Sequence, residues 1–299
     1  MDGEKIIKLV THNGSFHADD IFSSAVFALL FQRDGKEYKI FRTRDKEIIE
    51  NGDIVFDVGG IYDPAKDLFD HHQTGGAGKR ENGIEYASFG LVWKKYGVEL
   101  CGDQKSADLL DTRIVAPIDA NDNGQNLISF DHEISPYFIQ SALLSMRPTW
   151  LEADLDIDEM FLKSVEMAKN ILEREIIHTK AFVLAEEKVL AVYENTEDKR
   201  ILVLDKDYPF DFSAEVLPET FFVIYPRKSD QFWGAKAVRK NSKSFGNRKD
   251  FPKDWAGLMN EDIVKSSGVN DAVFCHRALF LAVAKSKEGA VALAKKTLE

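Results

Sequence analysis

Four of the seven histidines in this chain fall in two short polar stretches, each shared with aspartates. The first, Thr11 to Asp20 (THNGSFHADD), carries His12, His17 and Asp19. The second, Asp53 to Gln73 (DIVFDVGGIYDPAKDLFDHHQ), carries Asp57, Asp70, His71 and His72. A third stretch, Ile118 to Gly124 (IDANDNG), adds Asp119 and Asp122. Imidazoles mixed with carboxylates suit Mn²⁺, Mg²⁺, Fe²⁺, Co²⁺ or Zn²⁺. The set exceeds what one ion needs, which points to two ions sharing a carboxylate. Two ions about 3.5–4 Å apart clamp the attacking and leaving oxygens of a phosphoryl displacement. Asp57 is the natural bridge, because an apolar run (Ile54, Val55, Phe56) delivers it to a strand end. Each piece alone has a blander explanation: Asp19 as a helix N-cap, Asp57 as a turn residue, the histidines as surface groups.

Positioning these residues requires strands that end at the motifs. Ile6 to Thr11, Tyr38 to Thr43, Asp53 to Val58 and Leu68 to His71 read as strands. Ile21, Phe22, Ala25, Val26, Ala28, Leu29 and Leu30 recur at helical spacing and predict a helix from Asp19 to Gln32. Strands alternating with helices give a doubly wound α/β sheet, which gathers ligands at the carboxyl ends of its strands. Gln73 to Gly83 reads as a mobile basic loop. Helices are expected at Ser88 to Tyr96 and Ala107 to Val115, and a polar turn at Ile118 to Gly124. A helix without Gly or Pro spans about Asp156 to Thr179 and serves as a bridge. Beyond it come expected strands at Val189–Tyr193, Ile201–Leu204, Thr220–Tyr225 and Phe232–Val238, then helices at Arg277–Ala284 and Gly289–Leu298. The expected layout is a mostly parallel α/β domain over residues 1–155, a bridge over 156–180, and a smaller mixed α/β domain over 181–299. A cleft is expected between the domains.

The chain has 299 residues, a 44% hydrophobic fraction and a net charge of −11. These values suit a globular protein and exclude one that coats nucleic acid or an anionic membrane with its whole surface. Cys101 and Cys275 are its only cysteines, which rules out a disulfide framework and a zinc ribbon and fits a reducing compartment. No apolar run is long enough to span a membrane. The N-terminal MDGEKIIKLV resembles neither a signal nor a transit peptide. A cytoplasmic location is expected. No GxSxG, HExxH, GxxxxGK[ST] or HxE…PCxxC pattern occurs, so serine hydrolase, zincin, P-loop and deaminase chemistries lack support.

The ordered series HNGSFHADD, DVGG, FDHHQ and IDANDNG resembles the DHH phosphoesterase superfamily. The segments YDP…FDHHQ, YASFGLVW (86–93), FFVIYP (221–226), KDFPKDWAGL (249–258) and FCH (274–276) resemble its Myg (melanocyte proliferating gene) branch. The resemblance implies a DHH-type fold and two divalent ions, Mn²⁺ first among the candidates. His12, His17 and Asp57 would hold one ion, and Asp19, Asp57, His71 and Asp119 the other, with Asp122 the alternative to Asp119. His72 would face the substrate phosphate, and Asp70 would orient the imidazoles. The first motif departs from the usual His-x₃-Asp-x-Asp: His12-x₄-His17-x-Asp19 puts a histidine where a carboxylate is common. No GGGH-type motif occurs in the C-terminal half.

From Tyr225 to Lys253, nine Lys or Arg face two acids, a local charge of +7, with Phe232, Trp233, Phe245 and Phe251 interleaved. Basic strips with aromatic platforms bind single-stranded nucleic acid. Arg227, Arg239, Lys240, Arg248 and His276 are therefore expected at the substrate, with the aromatics packed inward as the alternative. The expected activity is metal-dependent phosphodiester hydrolysis, as a 3′-to-5′ exonuclease on short or single-stranded RNA or DNA. The alternatives are hydrolysis of a small phosphoanhydride or dinucleotide, and a metal-stabilised binding or regulatory protein with weak chemistry. The oligomeric state is open, a homodimer included.

Overall fold

The computed structural model describes residues 5–129, 133–134, 136–152, 154–210, 216–241 and 246–299. The chain forms two compact units, Met1–Lys180 and Ala181–Glu299.

In the first unit β1 (Ile7–Thr11), α1 (Ala18–Asp34) and β2 (Tyr38–Arg42) form a parallel β-α-β start, and β3 (Ile54–Phe56) follows the short α2 (Lys46–Glu50). β4 (Tyr62–Asp63) and β5 (Leu68–Phe69) complete a sheet ordered β2-β1-β3-β5-β4. All its pairings are parallel except that of the edge strand β4 with β5. The chain runs outward from β1 to β2, then returns to place β3 on the other side of β1. That reversal makes the crevice beyond β1 and β3 the switch point where such sheets bind ligands.

α1 is buried on all sides from Ala18 to Phe31, so it is an internal helix rather than an amphipathic one. Each of its large apolar side chains contributes about 1.5–3 kcal/mol by leaving water. Against it lie α3 (Ser88–Cys101) and, after α4 (Gln104–Leu110) and a π-helical turn at Asp111–Val115, α5 (Ala116–Asp122). α6 (Ile139–Leu144) and the 39-residue α7 (Ile157–Asn195) follow.

Four expectations are corrected here. The polar turn at 118–124 is mostly the last turn of α5, because its carboxylates alternate with buried Ile118 and Ala120. The loop at 73–83 folds back on itself, with hydrogen bonds from Arg80 N to Ile84 O (2.8 Å) and Tyr86 N to Gly78 O (3.0 Å), and it buries Arg80. The strand at Val189–Tyr193 belongs to α7: Ala185 and Val189 are buried one helical turn apart, and no Gly or Pro interrupts the segment. The helix at Arg277–Ala284 is a tight turn, closed by Leu279 N–H on His276 O (2.8 Å), that leads into a strand. Short apolar runs such as LAVA fit either state by periodicity.

In the second unit β6 (Ile201–Val203), β7 (Phe222–Pro226), β8 (Trp233–Ala237), β9 (Ala272–Cys275) and β10 (Leu281–Ala284) form a mixed sheet ordered β6-β7-β8-β10-β9. α8 (Asn260–Ser267) and α9 (Lys287–Leu298) complete it. Among the described residues no helix is long and apolar enough to cross a membrane.

Candidate functional site

β1 ends at Thr11, and His12 follows at once. Its Nδ1–H donates to Asn13 O (3.1 Å), which turns Nε2 inward, 3.2 Å from Asp57 Oδ2 and 3.3 Å from Asp20 Oδ2. Asp57 leaves β3 with a φ of 57°. That left-handed conformation is strained for most side chains, and aspartate is among the few that adopt it readily. It aims the carboxylate back into the crevice, where the residue is only 4% exposed. The second oxygen, Oδ1, lies 3.5 Å from His71 Nε2. His72 Nδ1 is at the same 3.5 Å from Oδ1, so Asp57 turns one oxygen to His12 and the other to the His71–His72 pair.

His17 stands at the N-cap of α1, and its N–H is received by Asp20 Oδ1 at 2.8 Å. Asp19, wholly buried, accepts the N–H groups of Ser88 (3.0 Å) and Phe89 (2.6 Å). The N-cap of α3 is Ala87, which has no side chain to cap with, so Asp19 caps that helix from across the core. His71 Nε2 lies 3.3 Å from Asp122, 3.5 Å from Asp57 and 4.0 Å from Asp19, yet it makes no well-formed hydrogen bond to any of them. His72 is exposed on the rim, its Nδ1 2.7 Å from Asp70 Oδ1. Asp70 is itself held by the N–H groups of His71 (2.7 Å), His72 (3.1 Å) and Gly60 (2.5 Å).

The electrostatics follow from this crowding. Burial pulls the His71 imidazole down, but Asp122 and Asp57 outweigh it and push it up to about 11. His12 is likewise pulled down by burial and raised further by Asp57 and Asp20. Burial alone would raise Asp57; His12 and His71 hold it well below the usual carboxylate range. Asp19 is raised well above that range by burial and then by the neighbouring charges of Asp57 and Asp122. Asp20 is pushed up to about 7 by burial and Asp57.

Three groups have ligand atoms all within 4.8 Å of one another: His12, His17 and Asp57; Asp57, His71 and His72; Asp19, His71 and Asp122. All of these residues except His71 line a crevice of about 610 Å³. Four buried or half-buried aspartates (19, 20, 57, 122) crowd two inward-facing imidazoles, leaving excess negative charge and an Asp20 Oδ2 that has no well-formed hydrogen bond. Divalent cations remedy that shortage, and the donor set fits them.

Asp119 stands apart from these groups. Its carboxylate accepts Gly90 N–H at 3.0 Å and lies 2.7 Å from Arg80 Nη1, while Arg80 also grips Asp111 at 2.7 and 2.8 Å. The acid of α5 that reaches His71 is Asp122, one turn further on. The sequence reading missed Arg80 because a Gly-rich basic stretch resembles solvated loop. It also missed Arg44, a cation just past the end of β2 that lines the crevice.

The expected substrate residues of the second unit are differently engaged. Arg227 is paired with Asp230 (2.8 Å), and Arg248 Nη1 donates to the carbonyls of Pro218 (3.2 Å) and Thr220 (2.9 Å). Both guanidiniums secure local structure. Arg239 and Lys240 are exposed. Phe251 is in the core, stacked with Trp255 and beside Phe222, so it offers no platform. Phe232 and Trp233 are half-buried, and Lys243 and Phe245 lie outside the described residues. His276 accepts Ala278 N–H at Nδ1 (3.0 Å) with its ring against Phe280, which leaves Nε2 to donate.

Comparison with known proteins agrees over nearly the whole chain. The MYG1 exonuclease family model, described as "Uncharacterised protein family (UPF0160)", matches residues 8–298. A Caenorhabditis elegans relative, MYG1 protein C27H6.8, is 30% identical, covering 97% of this chain and 94% of that protein. The Dictyostelium discoideum MYG1 protein is 30% identical over 98% and 96%. The human protein named MYG1 exonuclease is 29% identical over 97% and 85%. Among solved structures, RecJ from Thermus thermophilus in complex with Mn²⁺ aligns with a TM-score of 0.28 and 11% identity, covering 98% of this chain and 51% of that one, too slight a likeness to carry weight. With a family model spanning residues 8–298, this chain belongs to the MYG1 family.

Proposed function

We propose that this protein is a divalent-metal-dependent phosphodiesterase acting as an exonuclease on short single-stranded nucleic acid, RNA first. The observation that carries the reading is the division of Asp57: Oδ2 faces His12 and Oδ1 faces His71, as a carboxylate shared by two ions must. His12 and His17 would hold one ion with Asp57, and Asp19, His71 and Asp122 the other. Mn²⁺ is the first choice for this mixed oxygen and nitrogen set. When bound, such ions lower the pKa of water towards neutrality and neutralise charge on phosphate oxygens.

The chain's own residues supply the rest. Asp70 accepts the Nδ1 proton of His72 and raises the imidazole above its ordinary value, which favours its protonated form. Its Nε2–H, on the far side of the ring, donates to a substrate phosphate oxygen. Asp20 fixes the start of α1 and so the placement of His17. Exposed Arg239 and Lys240 support nucleic acid as the polyanion. The family name exonuclease, borne by mammalian relatives, supports the same reaction class.

The test is hydrolysis of an end-labelled single-stranded RNA oligonucleotide with Mn²⁺, beside Asp57→Ala. A ladder of shortened products, absent in the variant, is expected; the labelled end reports direction, with 3′ to 5′ expected. Intact RNA in the presence of metal-loaded protein would turn the reading to small phosphoanhydrides or dinucleotides. Failure on those as well would leave a binding role.

A further inference from the structure

Three arginines gather round the loop between β1 and α1, and they are not equivalent. Arg42 donates to the carbonyl of Gly14 (2.6 Å), pairs with Asp158, and lies over the rings of Phe16 and Phe161. Arg147 donates to the carbonyl of Phe16 and lies over the same ring. Both hold the loop, and the Nε of each is buried without a hydrogen-bond partner, out of reach of a ligand in the crevice. Arg44 engages Asn13 through one nitrogen only: Nη1 donates to the backbone and side-chain oxygens of that residue. Its Nε and Nη2 make no hydrogen bond among the described residues.

Two further observations give that unused edge a direction. Arg44 is exposed and lines the same crevice as His12, His17, Asp57 and His72, and it is the sole Lys or Arg among the described residues that do so. The Asn13 carbonyl that receives its Nη1 also receives Nδ1–H of His12. One carbonyl oxygen therefore separates the guanidinium from a group of the metal centre. Nε and Nη2 form the planar fork that matches two oxygens of a phosphate. Anchored at its third nitrogen, the fork loses little freedom on binding.

We propose that Arg44 builds a second-phosphate subsite: it grips, through Nε and Nη2, the phosphate group next to the one at the metal centre. The subsite selects substrates that carry two neighbouring phosphate groups over those that carry one. This rests on the phosphodiesterase reading for the group at the centre, but the fork binds a phosphate whether or not a bond is broken.

The experiment is calorimetric binding of thymidine 3′,5′-bisphosphate and thymidine 5′-monophosphate, with Ca²⁺ in place of Mn²⁺ to hold turnover back. Wild-type protein is expected to bind the bisphosphate more tightly. Arg44→Ala should weaken it by roughly 10–100-fold, the size of a charge-assisted hydrogen-bonded pair, with much less effect on the monophosphate. Arg44→Lys, which keeps the charge without the fork, should fall between. Mn²⁺ affinity, read by electron paramagnetic resonance, should stay at the wild-type value in Arg44→Ala. Equal losses for both ligands, no loss, or no wild-type preference would overturn the subsite. Lost Mn²⁺ affinity would overturn it too, by reducing Arg44 to a prop for His12. Absence of RNA hydrolysis, which would sink the phosphodiesterase reading, leaves these binding ratios standing.

Discussion

Arg80 and Asp119 meet 2.7 Å apart inside the first unit, both essentially out of solvent, and so separate two acids of α5 that look alike in sequence. Asp119 answers a guanidinium, whereas Asp122 answers an imidazole of the centre. Asp122→Asn should therefore weaken Mn²⁺ binding by at least tenfold with little change in Tm. Arg80→Ala should do the reverse: stranding a buried carboxylate costs about 3–5 kcal/mol. Titration of Mn²⁺ beside thermal unfolding reads both, and exchanged outcomes would restore Asp119 as the ligand.

Gly90 in α3 gives Asp119 its room. A Cβ built there would lie 1.9 Å from Asp119 Oδ2 and 2.9 Å from Arg80 Nη2, closer than atoms tolerate. Gly90→Ala should cost roughly 1–3 kcal/mol, the usual range for overpacking, although alanine is the better helix former. Chemical denaturation checks it; a stabilised variant would mean the pair sits elsewhere.

Asp57→Asn tests the shared carboxylate with minimal change of shape, since asparagine also accepts the left-handed backbone. Bound Mn²⁺ should drop for both ions together and hydrolysis by at least about 10³-fold, as expected when metal-supplied catalysis is lost. Loss of one ion with the other kept at full affinity would refute the bridge.

Metal-free protein should lose stability as the solution becomes less acidic. The folded-state pKa of Asp20, about 7, is above its ordinary 3.8, so from pH 3.8 upward the unfolded chain gives up a proton that the folded one keeps. His12, raised by Asp57 and Asp20 against burial, adds to the trend: its stabilisation is complete below 6.5 and fades above. The decline between pH 4 and 7 should be on the order of a few kcal/mol. Mn²⁺ should reverse the slope, because its ligands bind it deprotonated. Tm measured in EDTA and in Mn²⁺ across that interval decides the matter; a Tm in EDTA that climbs with pH would be fatal to the assignment.

Asp70→Asn should move the alkaline limb of the kcat/KM profile to lower pH, since the hydrogen bond to Asp70 is the chief cause that raises His72. The rate at neutral pH should fall about 10–100-fold, within the range of acid–base assistance. An unshifted profile with a lower plateau would assign Asp70 to backbone support alone, through the N–H groups of Gly60, His71 and His72.

The residues legible from sequence share one property: they sit where an apolar run stops. His12, Asp57 and His71 were readable because strand ends in a doubly wound sheet project into one crevice. Asp119 and Asp122 were not separable, because the deciding partner, Arg80, comes from a Gly-rich segment some 40 residues away whose burial no local pattern reveals. The strand expected at Val189–Tyr193 failed for a related reason: β-branched residues carry strand propensity, but neighbours at Ala185 and Phe182 extend the helical face. Phe251 reads as a stacking platform or as core until the sheet beneath it is known.

The cap that Asp19 places on α3 has a consequence for anyone who would redesign this centre. A library that varied position 19 to change metal preference would lose most of its members to misfolding, since the same carboxylate secures the first turn of a helix 69 residues downstream. His17 is exposed, and only its main-chain N–H is held by Asp20. Under the proposed two-ion reading, its side chain is the one to vary for metal selectivity, while Asp19 is a founding stone to be left in place.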